Sequence, residues 1–376
     1  MYAARIRLQD HLPSDGVFQM TFDEMKARIA EGQGFIAALD QSGGSTPKAL
    51  AGYGVAEDAW TSEDEMFGLI HEMRQRIIES PCFGNGKVIG AILFEKTMEG
   101  CNPEGMPIPE RLAGKGIVPF LKVDKGMHDT ENGVQLMKDM PELAQQCARA
   151  KELGVFGTKM RSVVKEANAA GIKSVVAQQF EVGLQIARAG LVPIIEPEVD
   201  INSATKSEAE ALLKDEIKAQ LDALPEGTKV SLKLTIPNEA GLYDSLADHP
   251  AVVRVVALSG GYTTDDACAR LSQNSKMIAS FSRALTEGLN VAMSDADYNA
   301  ALGSNIDKIE FLRQQYGLDR PMVEQYGVWL LGLLQGDMGY SFEYNLPVDE
   351  VVGDRLLLTF IVSFTTIIFT WIVSFP

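Results

Sequence analysis

Eight charged residues stand inside short apolar runs of this chain. Lys122 and Asp124, Lys159 and Arg161, and Glu196 and Glu198 are each two apart; Lys233 lies between Leu232 and Leu234, and Asp40 ends a run. In an extended strand, residues i and i+2 share a face. An ionised group buried without partners is costly, so these three lysines, one arginine and four carboxylates must pair with one another. Burial and neighbouring cations such as Lys122 and Lys159 both favour a neutral amine on Lys233. A neutral amine attacks ketones and aldehydes, and the iminium formed is an electron sink that permits carbon–carbon cleavage without a metal. Nearby carboxylates would move protons during carbinolamine dehydration and on a substrate hydroxyl.

A second group suits an anion. Leu258-Ser259-Gly260-Gly261-Tyr262 leaves one apolar run and enters a helix signalled by Thr263-Thr264-Asp265-Asp266, and the next run supplies Ser282-Arg283. Glycines there let backbone N–H groups approach a phosphate, and a helix N-terminus adds favourable potential.

The elements that must hold these residues recur regularly. Near-continuous apolar runs occur at 34–41, 87–94, 117–124, 155–161, 191–199, 230–236, 252–260 and 277–285. Such runs are buried on both faces, the mark of parallel strands covered by helices. Between them lie helix signals: Ser62-Glu63-Asp64-Glu65 and Ser294-Asp295-Ala296-Asp297 as capping sequences, a helix over 172–189 ending at Gly190, and one over 206–224. Eight alternations predict an α/β fold, a (β/α)8 TIM barrel, with the charged residues toward the strand ends that carry barrel active sites. A doubly wound sheet is the alternative, but no Gly-rich dinucleotide turn follows the first run, and Gly84-Asn85-Gly86-Lys87 lacks phosphate-loop spacing.

Composition narrows the function. With 46% hydrophobic and 23% charged residues the chain is globular. Its net charge of −17 argues against nucleic acid as a partner. Cys82, Cys101, Cys147 and Cys268, and His11, His71, His128 and His249, are scattered without metal-ligand spacing, so neither a disulfide framework nor a metal or other cofactor is expected.

The motifs GFIAALDQSGGSTPKAL (34–50), FLKVDKG (120–126), FGTKMRS (156–162), VPIIEPEV (192–199), LKLTIP (232–237), VALSGGY (256–262) and SFSRAL (280–285) resemble the class I fructose-1,6-bisphosphate aldolases, over about residues 22–309. The resemblance implies reversible cleavage of fructose 1,6-bisphosphate to dihydroxyacetone phosphate and glyceraldehyde 3-phosphate. It implies Lys233 as Schiff-base lysine, Glu196 as proton acceptor with Glu198 as its charge partner, Lys159 and Arg161 beside the Schiff base, and Asp40 on the reacting hydroxyl. Lys122 and Asp124 would line the site. Ser259, Gly260, Gly261, Ser282 and Arg283 would hold one phosphate, with Ser42 and Ser45 near the other. Another Schiff-base barrel, of transaldolase type, is the near alternative. A phosphorylated sugar is the expected partner, together with a second copy in a homo-oligomer, and the cytoplasm the expected place.

Both ends depart from this pattern. Residues 1–21 form an N-terminal extension. Past Lys308 there is no further lysine, and the family's last helix is expected to break off after Ile309. Residues 311–360 resemble the membrane permease of dipeptide/oligopeptide ABC transporters, through GLDRP (317–321), QYGVWLLGLLQGDMGYS (325–341) and RLLLTF (355–360). That divides the tail into a permease-like stretch, 310–355, and a membrane-spanning helix within 356–376, whose positions 356–375 carry no charge. The tail suggests a junction of unrelated sequences, with membrane association through 356–375. A transport component carrying an inactive barrel is the alternative from another class.

Overall fold

The computed structural model describes residues 20–315 without a break, and beyond them 327, 330, 331, 333, 334, 340, 341 and 346–374. The chain forms two compact units that meet in sequence at Leu312 and Arg313.

In the first unit all eight apolar runs form strands: β1 Phe35–Leu39, β2 Val88–Leu93, β3 Val118–Lys122, β4 Gly157–Val164, β5 Val192–Val199, β6 Val230–Thr235, β7 Val252–Leu258 and β8 Met277–Ala279. They pair in parallel in sequence order, and β8 returns beside β1 to close the barrel. A two-residue strand, Val134–Gln135, runs antiparallel on β4. Helices separate the strands, as right-handed crossovers require.

Each strand serves two cores because alternate side chains face opposite ways. Ile195 and Val199 of β5, and Leu232 and Leu234 of β6, pack outward in the cluster shared with the helices. Inward, Ile36, Ile92, Val118, Phe120, Ile194, Val256 and Ile278 fill the lower barrel, and Met25 and Ile29 of the first helix, Phe22–Glu31, plug its floor. That helix starts with a reciprocal cap between Thr21 and Glu24. Higher on the same inner face the apolar series ends, and Lys122, Lys159, Glu196 and Lys233 follow.

Two register shifts shape the barrel. Ile89 is an extra residue in β2 between Val88 and Gly90, which frees it to join the floor cluster. One extra residue of β7 intervenes between the partners of Val230 and Leu232, just below Lys233. Bulges of this kind re-aim side chains beside active sites.

The helices begin and end close to their signals. Ser62 caps Glu63–Glu79 by accepting from the Glu65 N–H, but the Glu65 carboxylate accepts from Thr61 rather than from Ser62, so the box is shifted by one residue. Ala169–Arg188 ends before Gly190, whose φ is +86°. The last barrel helix, Asp295–Gln315, does not break off at Ile309; Tyr298, Leu302, Ile306 and Ile309 bury one stripe of it.

In the second unit the longest element is the helix Val348–Ser374. The expected membrane span over 356–375 is not sustained: among the described residues no helix is long and apolar enough to cross a membrane. Side chains at 354–359, 361, 372 and 373 lie outside the described residues, and Ser363, Thr365, Thr366 and Thr370 interrupt the rest. Residues 1–19, the segment 317–321 and most of 325–341 also lie outside the described residues.

Candidate active site

The site forms where the inner face of the barrel turns from apolar to charged. Glu196 of β5 reaches Lys159 Nζ with Oε2 at 2.8 Å and Lys233 Nζ with Oε1 at 3.1 Å. Oε2 is buried and pairs with Lys159. Lys159 Nζ also donates to Asp40 Oδ2 at 2.9 Å, just past the end of β1. The side chains of Lys159, Glu196 and Lys233 are 4–6% exposed, so these charges meet in a nearly dry interior.

Burial alone would lower the Lys159 ammonium, but Asp40, Glu196 and Asp124 outweigh it and hold the group above the ordinary lysine value. Burial alone would raise the Asp40 carboxyl, yet the charges of Lys159, Lys233 and Lys122 keep it well below the usual carboxylate range. Without substrate, Lys159 is therefore a cation and Asp40 an anion at neutral pH.

Strand geometry explains the ring. Arg161 is the register partner of Glu196, and Lys122 of Lys159. The ladder between β5 and β6 covers only Ile194–Ser231 and Ile195–Leu232. Above it Thr235 rejoins the strands, accepting from the Val199 N–H at 2.9 Å and donating to its carbonyl at 2.8 Å. Glu196 and Lys233 occupy the gap between.

The other expected residues divide between site and rim. Lys122 Nζ folds back onto Asp124, 2.8 Å from both Oδ1 and the carbonyl oxygen, and Asp124 Oδ2 accepts from the Arg161 N–H at 3.3 Å. Glu198 pairs with Arg161 at 2.5 Å, so its counter-charge is the arginine and not the neighbourhood of Glu196. Burial lowers the Arg161 guanidinium, but Glu198 more than offsets this.

At the ends of β7 and β8, Gly260 and Gly261 adopt φ of +58° and +126°. A Cβ on Gly261 would stand 3.8 Å from Arg283 Nη2, so the glycine turn and Arg283 share one corner. Thr263 caps the following helix, Thr264–Leu271, as its sequence implies. Its first-turn carboxylates are taken, Asp265 by Lys308 at 2.7 Å and Asp266 by Arg270 at 2.9 Å. They oppose an anion at that helix end, which leaves the glycine turn and Arg283 as the favourable groups. Ser282 Oγ accepts from Gln41 Nε2. Ser42 and Ser45 bond to each other, the Ser45 hydroxyl donating to the Ser42 carbonyl at 2.9 Å, at the mouth beyond β1.

Sequence reasoning passed over two side chains that support this ring. Gln179, fully buried, donates to Ser162 Oγ at 2.8 Å and the Met160 carbonyl at 3.2 Å, and accepts from the Glu196 N–H at 3.3 Å. Arg74, also fully buried, donates to the Gln41 carbonyl and to Thr97 Oγ1. The signal was available: each polar residue interrupts an apolar helical stripe, Val175, Val176, Phe180 and Gly183 around Gln179, and Ile70, Met73, Ile77 and Ile78 around Arg74.

The family model "Fructose-bisphosphate aldolase class-I" matches residues 22–231. A fructose-bisphosphate aldolase class 1 of Porphyromonas gingivalis is 55% identical over 287 residues, 76% of this chain and 97% of that protein. A fructose-bisphosphate aldolase of Plasmodium falciparum, solved in a complex with TRAP and an inhibitor, superposes with a TM-score of 0.64 at 20% identity, covering 80% of this chain and 98% of that one. The permease resemblance of the tail finds no support in these comparisons. Barrel, charged ring and sequence identity agree: the chain belongs to the class I fructose-bisphosphate aldolases, a family of lyases.

Proposed function

We propose that Lys233 forms the Schiff base through which this aldolase splits fructose 1,6-bisphosphate. Its Nζ adds to the C2 carbonyl, and the proton it sheds passes to Glu196, 3.1 Å away. Glu196 returns a proton to the carbinolamine oxygen, water leaves, and the iminium draws electrons from the C3–C4 bond. Asp40 takes the proton of the C4 hydroxyl as that bond breaks, releasing glyceraldehyde 3-phosphate. The enamine is protonated at C3, and hydrolysis of the iminium frees dihydroxyacetone phosphate. Lys159 remains charged throughout, holding Asp40 and Glu196 in place. Ser259, Gly260, Gly261, Ser282 and Arg283 bind one phosphate, and Ser42 and Ser45 contact the other. Residues 310–376 take no part in cleavage.

The observation that supports this most is the single carboxylate shared, in a buried setting, by two lysines on adjacent inner positions. Borohydride reduction in the presence of dihydroxyacetone phosphate, followed by peptide mass mapping, tests it. The expected adduct is on Lys233, and Lys233→Met, with unchanged circular dichroism, loses both the adduct and cleavage. An adduct on another lysine, or cleavage retained in Lys233→Met, refutes the assignment.

A further inference from the structure

Arg74 lies outside the barrel on the helix Glu63–Glu79 and is fully buried, yet no carboxylate of a described residue is within salt-bridge distance. Its Nε has no hydrogen-bond partner among the described residues. Its guanidinium serves neutral groups: Nη1 donates to Thr97 Oγ1 at 2.8 Å, and Nη2 to the Gln41 carbonyl, with Gln41 Oε1 also 3.4 Å away. Burial lowers the guanidinium, and the charge of Asp40, beyond ion-pair distance, offsets this only in part, which makes its placement informative.

Guanidinium has donors and no acceptor. Beside Arg74 the Gln41 amide can therefore turn only its oxygen inward, and its Nε2 faces the other way. There it donates to Ser282 Oγ and lies 3.4 Å from the Ala38 carbonyl. This bond crosses from the end of β1 to the end of β8, where the barrel closes. A hydroxyl whose lone pair is already taken by an N–H keeps its hydrogen for another acceptor.

We infer that Arg74 and Gln41 are positioning residues that set Ser282 as a hydrogen-bond donor to the substrate phosphate. With the amide reversed, the Ser282 hydroxyl would donate to Gln41 Oε1 and turn lone pairs toward the anion. This inference rests on the proposed phosphate corner, and it adds a polarity relay from an outer helix that no substrate touches.

Steady-state cleavage of fructose 1,6-bisphosphate, with inorganic phosphate as competing probe, tests the relay in Gln41→Leu, Gln41→Glu, Ser282→Ala and the Gln41→Leu/Ser282→Ala pair. Gln41→Leu should raise KM and the phosphate inhibition constant about tenfold, with kcat within about threefold. Gln41→Glu, whose carboxylate accepts the Ser282 proton, should raise both further. The double variant should be no worse than Ser282→Ala alone. Arg74→Gln, which lets the amide reverse, should reproduce the KM effect where it folds. Unchanged KM in Gln41→Leu, additive losses in the pair, or a fall in kcat alone overturns the relay. The wild type's own Schiff-base adduct separates the two ideas: its absence defeats the proposed chemistry, whereas its presence with an unmoved KM defeats only the relay.

Discussion

Lys159 is the group whose removal the ring should tolerate least. It stands 2.9 Å from Asp40 and 2.8 Å from Glu196, and the Asp40 carboxylate receives no other hydrogen bond from a described residue. At an effective dielectric constant of about 20, each contact is worth about 6 kcal/mol before desolvation. Removing one member of a buried pair usually costs about 3–5 kcal/mol. Lys159→Met orphans Asp40 and leaves Glu196 with Lys233 at 3.1 Å, so we expect a loss of about 3–5 kcal/mol at pH 7, read as a drop in urea midpoint with little change in slope. Replacing Asp40 by Asn removes that orphan, so the double variant should be more stable than the sum of the singles by about 2 kcal/mol. The pH dependence has a definite sign. The wild-type Asp40 is held below its ordinary value of 3.8, so its contribution is complete above that pH and fades as pH falls further. In Lys159→Met, burial raises the orphaned Asp40 carboxyl, whose protonation favours the folded state. The gap between wild type and variant should therefore narrow as pH falls from 7 toward 5. Additivity within about 0.5 kcal/mol, or a gap that widens on acidification, would refute the pairing scheme.

Three further outcomes are expected. Gly261→Ala, at φ +126° and with Ile201 Cδ1 3.0 Å from the new Cβ, should raise KM more than it lowers kcat in steady-state cleavage; an unchanged KM removes that turn from the phosphate corner. Gln179→Leu keeps volume but strips partners from Ser162, Met160 and the Glu196 N–H, for a loss of about 1–3 kcal/mol with reduced kcat; full activity would leave Gln179 a packing residue only. Ending the chain after Gln315 should preserve cleavage and increase the soluble fraction, since Phe360, Phe364, Phe369 and Trp371 are each more than half exposed; abolished activity in a folded product would give the tail a role.

The barrel was legible because each strand is buried on both faces and says so residue by residue. The charged ring was legible for the complementary reason: Lys159, Glu196 and Lys233 violate that apolar pattern, and only pairing can sustain them. What stayed hidden was pairing itself. Nothing in the spacing of Glu196 and Glu198 says that one serves two lysines and the other an arginine; that follows from register, which sets Arg161 opposite Glu196 and leaves Glu198 free to reach it. Arg74 and Gln179 carry the same signal on helices, where each breaks an apolar stripe, but a lone polar residue on a helix does not show which strand it serves. In the tail, the uncharged run over 356–375 has the length of a span, but among the described residues no helix is long and apolar enough to cross a membrane.

The ring also explains a division of labour. Lys122, Lys159 and Arg161 supply three cations against the four carboxylates Asp40, Asp124, Glu196 and Glu198, with Lys233 as the proposed amine nucleophile, so the interior holds no positive excess before any substrate arrives. A chain of net charge −17 repels a bisphosphate, and such an interior gives no net attraction to overcome it. Attraction must come from the rim, where Arg283 is exposed, makes no ion pair with a described residue and faces the glycine turn. The inner cations are thereby reserved for protons and the Schiff base. If Arg283 holds a phosphate there, as proposed, a doubly charged group is kept from competing for Lys159 and Lys233, between which Glu196 lies.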